Sequence, residues 1–195
     1  MRLNLKLCKS AKEQELDNAA ELNQFLAQVE RRAFRMAMYA VAETEDALDI
    51  VQEAMLVFVR NYRNRPAAEW QVLFQRTLQS RITDSHRRAV VRNRFRTWFG
   101  LGSREDDDSD PIEGLPDIDG QSPADLLERE GLGKAIGEAV AALPLRQQQA
   151  FLLRSWEGLD VAETASAMGC SEGSVKTHHF RAVRTLRELL KEYWP

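Results

Sequence analysis

Residues 159–182 read Leu-Asp-Val-Ala-Glu-Thr-Ala-Ser-Ala-Met-Gly-Cys-Ser-Glu-Gly-Ser-Val-Lys-Thr-His-His-Phe-Arg-Ala, and few folds accept that order. Val161, Ala162, Ala165 and Met168 recur at helical spacing and predict a short helix with one small apolar face. Ala162, Ala165 and Ala167 are small enough to let a second helix approach closely. Gly169 stands where the first helix must stop, and a left-handed cap there is cheap only for glycine. Ser171 is a good N-cap for a second helix. Along that helix Val175, His179, Ala182, Val183, Leu186 and Leu190 form an inward stripe. Lys176, Thr177, Phe180, Arg181 and Arg184 fall on other faces. Two helices, a tight turn and a basic outer face are the construction of a helix-turn-helix DNA reader.

The rest of the chain adds a charge pattern that the net value of −3 conceals. Residues 60–104 carry eleven arginines against only Glu69 and Asp84. Residues 105–130 carry eleven acids against only Arg129. Such segregation marks a nucleic-acid binder better than the whole-chain pI of 5.7 does. No apolar run approaches the ~20 residues that would span a bilayer, and the first residues lack a secretory apolar core. A cytoplasmic protein without stable membrane insertion is expected. Cys8 and Cys170 are too few for a disulfide framework and form no Cys-x-x-Cys pair.

Residues 1–19 are polar and are expected to be mobile. Leu22, Phe25, Leu26, Val29, Ala33, Met36, Ala37 and Ala40 then mark an amphipathic helix. Thr44 is placed to cap a second helix, with Glu45 and Asp46 in its first turn. Ala47, Leu48, Ile50, Val51, Ala54, Met55, Phe58, Val59 and Tyr62 form its expected inward face, and Asp49, Gln52 and Glu53 its outer face. Pro66 breaks it. A third helix runs from about Ala68 past Arg88, with Trp70, Leu73, Phe74, Thr77, Leu78, Ile82 and Ser85 able to face in. Residues 100–123 form an acidic linker too poor in apolar surface to fold alone. A helix from Ala124 to Leu143, a break at Pro144, a helix from about Arg146 to Trp156 and the helix-turn-helix complete the chain. No strand signal of useful length and no internal repeat occur. The expected fold is all-α: a helical domain over 20–99 and a second over 124–195, joined by the flexible acidic linker.

In this order the motifs resemble those of the extracytoplasmic-function sigma factors, the two-domain members of the bacterial sigma-70 family. Glu45-Asp46-Ala47-Leu48-Asp49-Ile50-Val51-Gln52-Glu53-Ala54 is similar to that family's polymerase-binding helix. Arg76 to Arg88, with Ile82, Asp84 and the Arg87-Arg88 pair, resembles its minus-10-facing helix. Ala139 to Pro144, Phe151 to Arg154, Glu157-Gly158-Leu159 and the helix-turn-helix resemble its minus-35-binding domain. The resemblance implies a non-enzymatic factor that binds core RNA polymerase, directs it to promoter DNA and assists melting. It implies polymerase contacts at Asp49, Gln52 and Glu53, and minus-10 contacts at Arg76, Arg81, Asp84, Arg87 and Arg88. It implies minus-35 contacts at Ser174, Lys176, Thr177, His178, Phe180, Arg181 and Arg184, and an anti-sigma factor as a further partner.

The sequence departs from the family in three places. Leu73-Phe74 stands for the usual Trp-Leu, Ser80 for a frequent Asn, and the loop at Arg63 to Glu69 is short. Trp70, three residues ahead of Leu73, is read as core rather than as a base-stacking ring. No catalytic residue, cofactor or metal site is expected. Gly-rich phosphate loops, His-Glu-x-x-His and Gly-x-Ser-x-Gly are all missing from the sequence, and His178 and His179 point ~100° apart on their helix. The rival reading is a regulator with a LuxR-like reader, which the Ser174 to His178 run also resembles. Such a regulator has no need of the 45–60 helix or of the arginine-rich one.

Overall fold

A computed structural model describes the backbone of residues 2–41, 43–98 and 123–193, and the side chains of 18–41, 43–92 and 131–193. Every regular element among the described residues is helical: α1 (Arg2–Ala40), α2 (Thr44–Tyr62), α3 (Ala67–Trp98), α4 (Pro123–Ala141), α5 (Leu145–Phe151), α6 (Val161–Met168) and α7 (Glu172–Leu189). A π turn, Leu152–Trp156, follows α5, and a 3-10 turn, Lys191–Tyr193, is the last described element. The helical backbone of α1 begins at Arg2, ahead of the expected start near residue 20. The linker and the aromatic Phe99 lie outside the described residues.

The N-terminal domain is a three-helix unit. Leu22, Val29, Ala33, Met36 and Ala37 of α1 bury against Ala47, Ile50, Val51, Ala54 and Phe58 of α2, and against Trp70, Phe74, Leu78 and Ile82 of α3. The Phe25 ring centre lies 5.6 Å from those of both Phe58 and Trp70, and Phe58 meets Phe74 edge-on at 5.6 Å. Trp70 is 1% exposed and its indole N–H donates to the Arg65 carbonyl at 2.9 Å. That bond fixes the turn at Pro66, so Trp70 is a core residue, as its spacing suggested.

Three details differ from the sequence-based expectation. Glu43, not Thr44, occupies the N-cap of α2, because Ala47 N–H already donates to the Glu43 carbonyl at 3.1 Å. Leu48 points outward, since Ala47, Ile50, Val51 and Ala54 fill the space against α1 and α3. On α3 the polar residues Gln75 and Gln79 are buried alongside Thr77.

The C-terminal domain closes around Val140, Leu143, Leu152, Leu153, Leu159, Met168, Val175, Ala182 and Leu186. Pro144 ends the α4 segment and its carbonyl accepts from Gln147 and Gln148, starting α5. In the π turn, Glu157 N–H reaches back five residues to the Leu152 carbonyl. Gly158, at φ 71°, then turns the chain so that Leu159 N–H can bond the Leu153 carbonyl. Asp160 caps α6: its carboxylate accepts from Glu163 N–H while the Glu163 carboxylate accepts from Asp160 N–H, both at 2.8 Å. Gly169 closes α6 at φ 61°, and Ser171 caps α7 by accepting from Ser174 N–H. The inward face of α6 is Thr164, Ala165, Ala167 and Met168, whereas Ala162, expected inside, is exposed. The two domains pack on each other, α6 against α3 and α4 against α1.

Candidate nucleic-acid interface

α7 is amphipathic in the way its sequence predicts. Val175, Ala182 and Leu186 are buried, while Lys176, Thr177, Phe180, Arg181 and Arg184 are exposed. At 100° per residue, Lys176, Phe180 and Arg184 make one row and Thr177 and Arg181 the next. Phe180 is 68% exposed, so its ring is held out on a basic surface with no core to fill. Beside this row a groove of about 730 Å³ runs between α7, the start of α6 and the π turn, lined by Arg154, Val161, Lys176, Phe180 and Arg184.

Side-chain chemistry grades the candidates. The Ser174 hydroxyl is 2.9 Å from that of Ser171, within the cap of α7. Thr177 donates its hydroxyl proton to the Gly173 carbonyl at 2.9 Å, which leaves a methyl and an acceptor facing outward. His178 is half-buried, and its pKa is held below the usual imidazole value by burial, then by the nearby Arg146 and Arg181 guanidinium groups. His179 lies on the inner stripe. It stacks on Phe151, meets the Ser155 hydroxyl at 3.0 Å, and is likewise held below its usual value, by burial first and Arg154 second.

On α3, Arg76, Asp84 and Arg87 share a wedge of about 80°, with Arg88 next to it. Arg76, Arg87 and Arg88 are exposed. Asp84 is 4.0 Å from Arg87, and Arg81 is half-buried with its guanidinium 3.9 Å from Glu53 of α2. Asp49, Gln52 and Glu53 all lie on the open face of α2. The same face carries Leu48, which periodicity put inside, and Leu56, which is 71% exposed. With Gln52 between them they form an i, i+4, i+8 row, two apolar side chains set in an acidic surface. Among the described residues no cluster of His, Cys, Asp and Glu could hold a metal ion, and no helix is long and apolar enough to cross a membrane.

A basic helix beside an acidic one, followed by a helix-turn-helix, defines a two-domain, all-helical DNA-binding protein. Comparison with known proteins narrows this further. Residues 133–186 match the family model described as sigma-70, region 4. The chain is 30% identical over 151 residues to an RNA polymerase sigma-E factor of Streptomyces antibioticus, covering 77% of this chain and 74% of that one. It is 32% identical over 164 residues to the extracytoplasmic-function RNA polymerase sigma factor BldN of Streptomyces coelicolor, covering 82% of this chain but only 56% of that longer protein. Its fold resembles that of the sigma factor RpoE, solved with the anti-sigma factor NepR from Bartonella quintana, with TM-score 0.62, 20% identity and 87% and 96% of the two chains covered. The chain belongs to the extracytoplasmic-function RNA polymerase sigma factors.

Proposed function

We propose that this chain binds core RNA polymerase, brings it to promoters through a minus-10 and a minus-35 contact, and assists strand opening, without covalent chemistry of its own. The observation that carries the reading is the presence, on one chain, of an exposed acid–amide face on α2, a separate arginine face on α3 and a basic reading row on α7. Asp49, Gln52 and Glu53 meet the polymerase, and Leu48 and Leu56 give that contact its apolar part. Arg76, Arg87 and Arg88 neutralise minus-10 phosphates. Arg81 and Asp84 are the weaker candidates there, each already having a partner on α2 or α3.

Lys176, Phe180, Arg181 and Arg184 enter the major groove of the minus-35 element. Phe180 and the Thr177 methyl suit thymine methyl groups, and the cations suit guanine edges and phosphates. Ser174 holds the cap, and His178, kept neutral, contributes shape rather than charge. The work takes place in the cytoplasm, and an anti-sigma protein is a further partner. A regulator with only a LuxR-like reader is the less favoured reading, since the similarity to sigma factors spans both domains.

The test is co-purification with core polymerase. The wild-type chain is expected to elute with it, and Glu53→Arg combined with Gln52→Ala to elute apart while still binding a minus-35 duplex. A wild-type chain that binds duplex but never polymerase contradicts the reading.

A further inference from the structure

The two adjacent histidines of α7 flank the buried stripe on opposite sides. His179 stacks on Phe151 and meets the Ser155 hydroxyl. His178 shares the other flank with Ser174 and Arg181, the three lying within about 60° of the helix circumference. This strip borders the exposed basic row at its Arg181 edge. Arg146 of α5 comes close to the same ring, so two cations bear on one imidazole. α4 and α6 also pack on α7, and no charged group of either adds to these two among the described residues.

Arg146 is held in place. Its Nη1 donates to the Met168 carbonyl at 3.1 Å and to the Gln149 amide oxygen at 3.2 Å. Met168 ends α6, directly ahead of the Gly169 cap, so the guanidinium is tied to the backbone of the helix-turn-helix itself. Its other N–H groups donate to nothing among the described residues. Neither Arg146 nor Arg181 forms an ion pair among those residues. Two guanidinium groups without a carboxylate, one of them fixed by main chain, converge on an imidazole. That is a donor set suited to a phosphate oxygen.

The same arrangement links the phosphate to a proton. In the free chain, burial and two like charges hold a proton off His178. A phosphate beside Arg146 and Arg181 reverses that balance: its charge offsets both guanidinium groups, and its oxygen accepts an N–H from the imidazolium. His179, on the far flank beside Arg154, is turned away from any such phosphate.

We propose that Arg146, His178 and Arg181 seat a backbone phosphate of the minus-35 duplex, and that His178 takes up a proton as the phosphate arrives, so that affinity for this element rises as pH falls. The seat rests on the function proposed above and adds Arg146 and a proton to it. With the phosphate bound, the imidazole titrates at a higher pH than it does free. Affinity is therefore level above the bound value, where His178 stays neutral and gives shape alone. It rises as pH falls through the bound value and levels again below the free one. Each unit between the two values is worth about tenfold in affinity.

The probe is a duplex selected by the full chain from a random pool at pH 7.5. Between pH 7.5 and 5.5, at fixed salt, wild-type affinity is expected to rise about fivefold more than that of His178→Asn, with circular dichroism reporting that both chains stay folded. His178→Arg, charged throughout, is expected to bind tightly and to vary with pH no more than His178→Asn. Arg146→Gln is expected to weaken binding at both pH values and to lower the slope of log affinity against log salt by about one. By nuclear magnetic resonance the His178 ring is expected to titrate at a higher pH with duplex bound than without. Equal pH dependence in wild type and His178→Asn, a ring titration that duplex does not move upward, or an unchanged salt slope in Arg146→Gln overturns the seat. A chain that selects no duplex at all contradicts the proposed function, and the seat with it.

Discussion

Single residues divide into those that hold the fold and those that wait for a partner, and burial separates them. Trp70 holds the fold. Trp70→Ala is expected to cost about 3–5 kcal/mol in denaturant unfolding of the N-terminal domain. A loss under about 1 kcal/mol, well below that range, with promoter opening selectively impaired, would instead make the indole a base contact. Phe180 waits. Phe180→Ala is expected to leave stability within about 0.5 kcal/mol while weakening minus-35 duplex binding; unfolding midpoints and a duplex titration read the two effects apart. His179 couples pH to the C-terminal domain. Its folded pKa is lowered by burial and Arg154, so the unfolded chain binds more protons between the two values. The stability it contributes is present above pH 6.5, the ordinary value, and is lost as pH falls through the lower folded value. Melting temperatures at pH 7.5 and 5.5 are expected to differ less in His179→Leu than in wild type. An equal difference in both would acquit His179.

Helices, turns and caps were the most legible level, because each depends on neighbours in sequence. Gly169 and Ser171 act as their positions in the sequence suggested, and Pro144 separates α4 from α5. Gly169→Ala meets no steric neighbour but must adopt φ 61°, so it is expected to lose about 1–2 kcal/mol. Asp160→Ala is expected to lose about 0.5–2 kcal/mol with the capping box. Thermal unfolding of each variant checks both. What could not be read was set by contacts distant in sequence. Leu48 fits the apolar side of α2 as well as Ala47 does, and only the crowding of α1 and α3 decides which one goes inside. Gln75 and Gln79 look like solvent-facing residues of a basic helix, and a second domain more than sixty residues later buries them. The 3.9 Å approach of Arg81 to Glu53 of α2 is likewise set by contacts between helices rather than by neighbours in sequence. The exposed basic row of α7 was legible because the apolar stripe opposite it is unambiguous.

At the scale of the molecule, two helical domains each carry an exposed basic face and meet partly through amides, Gln71 and Gln149 among them. The central claim is that both faces serve initiation by polymerase rather than DNA binding alone. Its most direct test is run-off transcription with purified core polymerase and a library of promoter fragments. The account predicts transcripts that appear only with this chain, start downstream of paired minus-10 and minus-35 sequences, and fall sharply with either Arg87→Ala/Arg88→Ala or Lys176→Ala/Arg181→Ala. Transcripts independent of the chain, or lost only with the α7 pair, would contradict it.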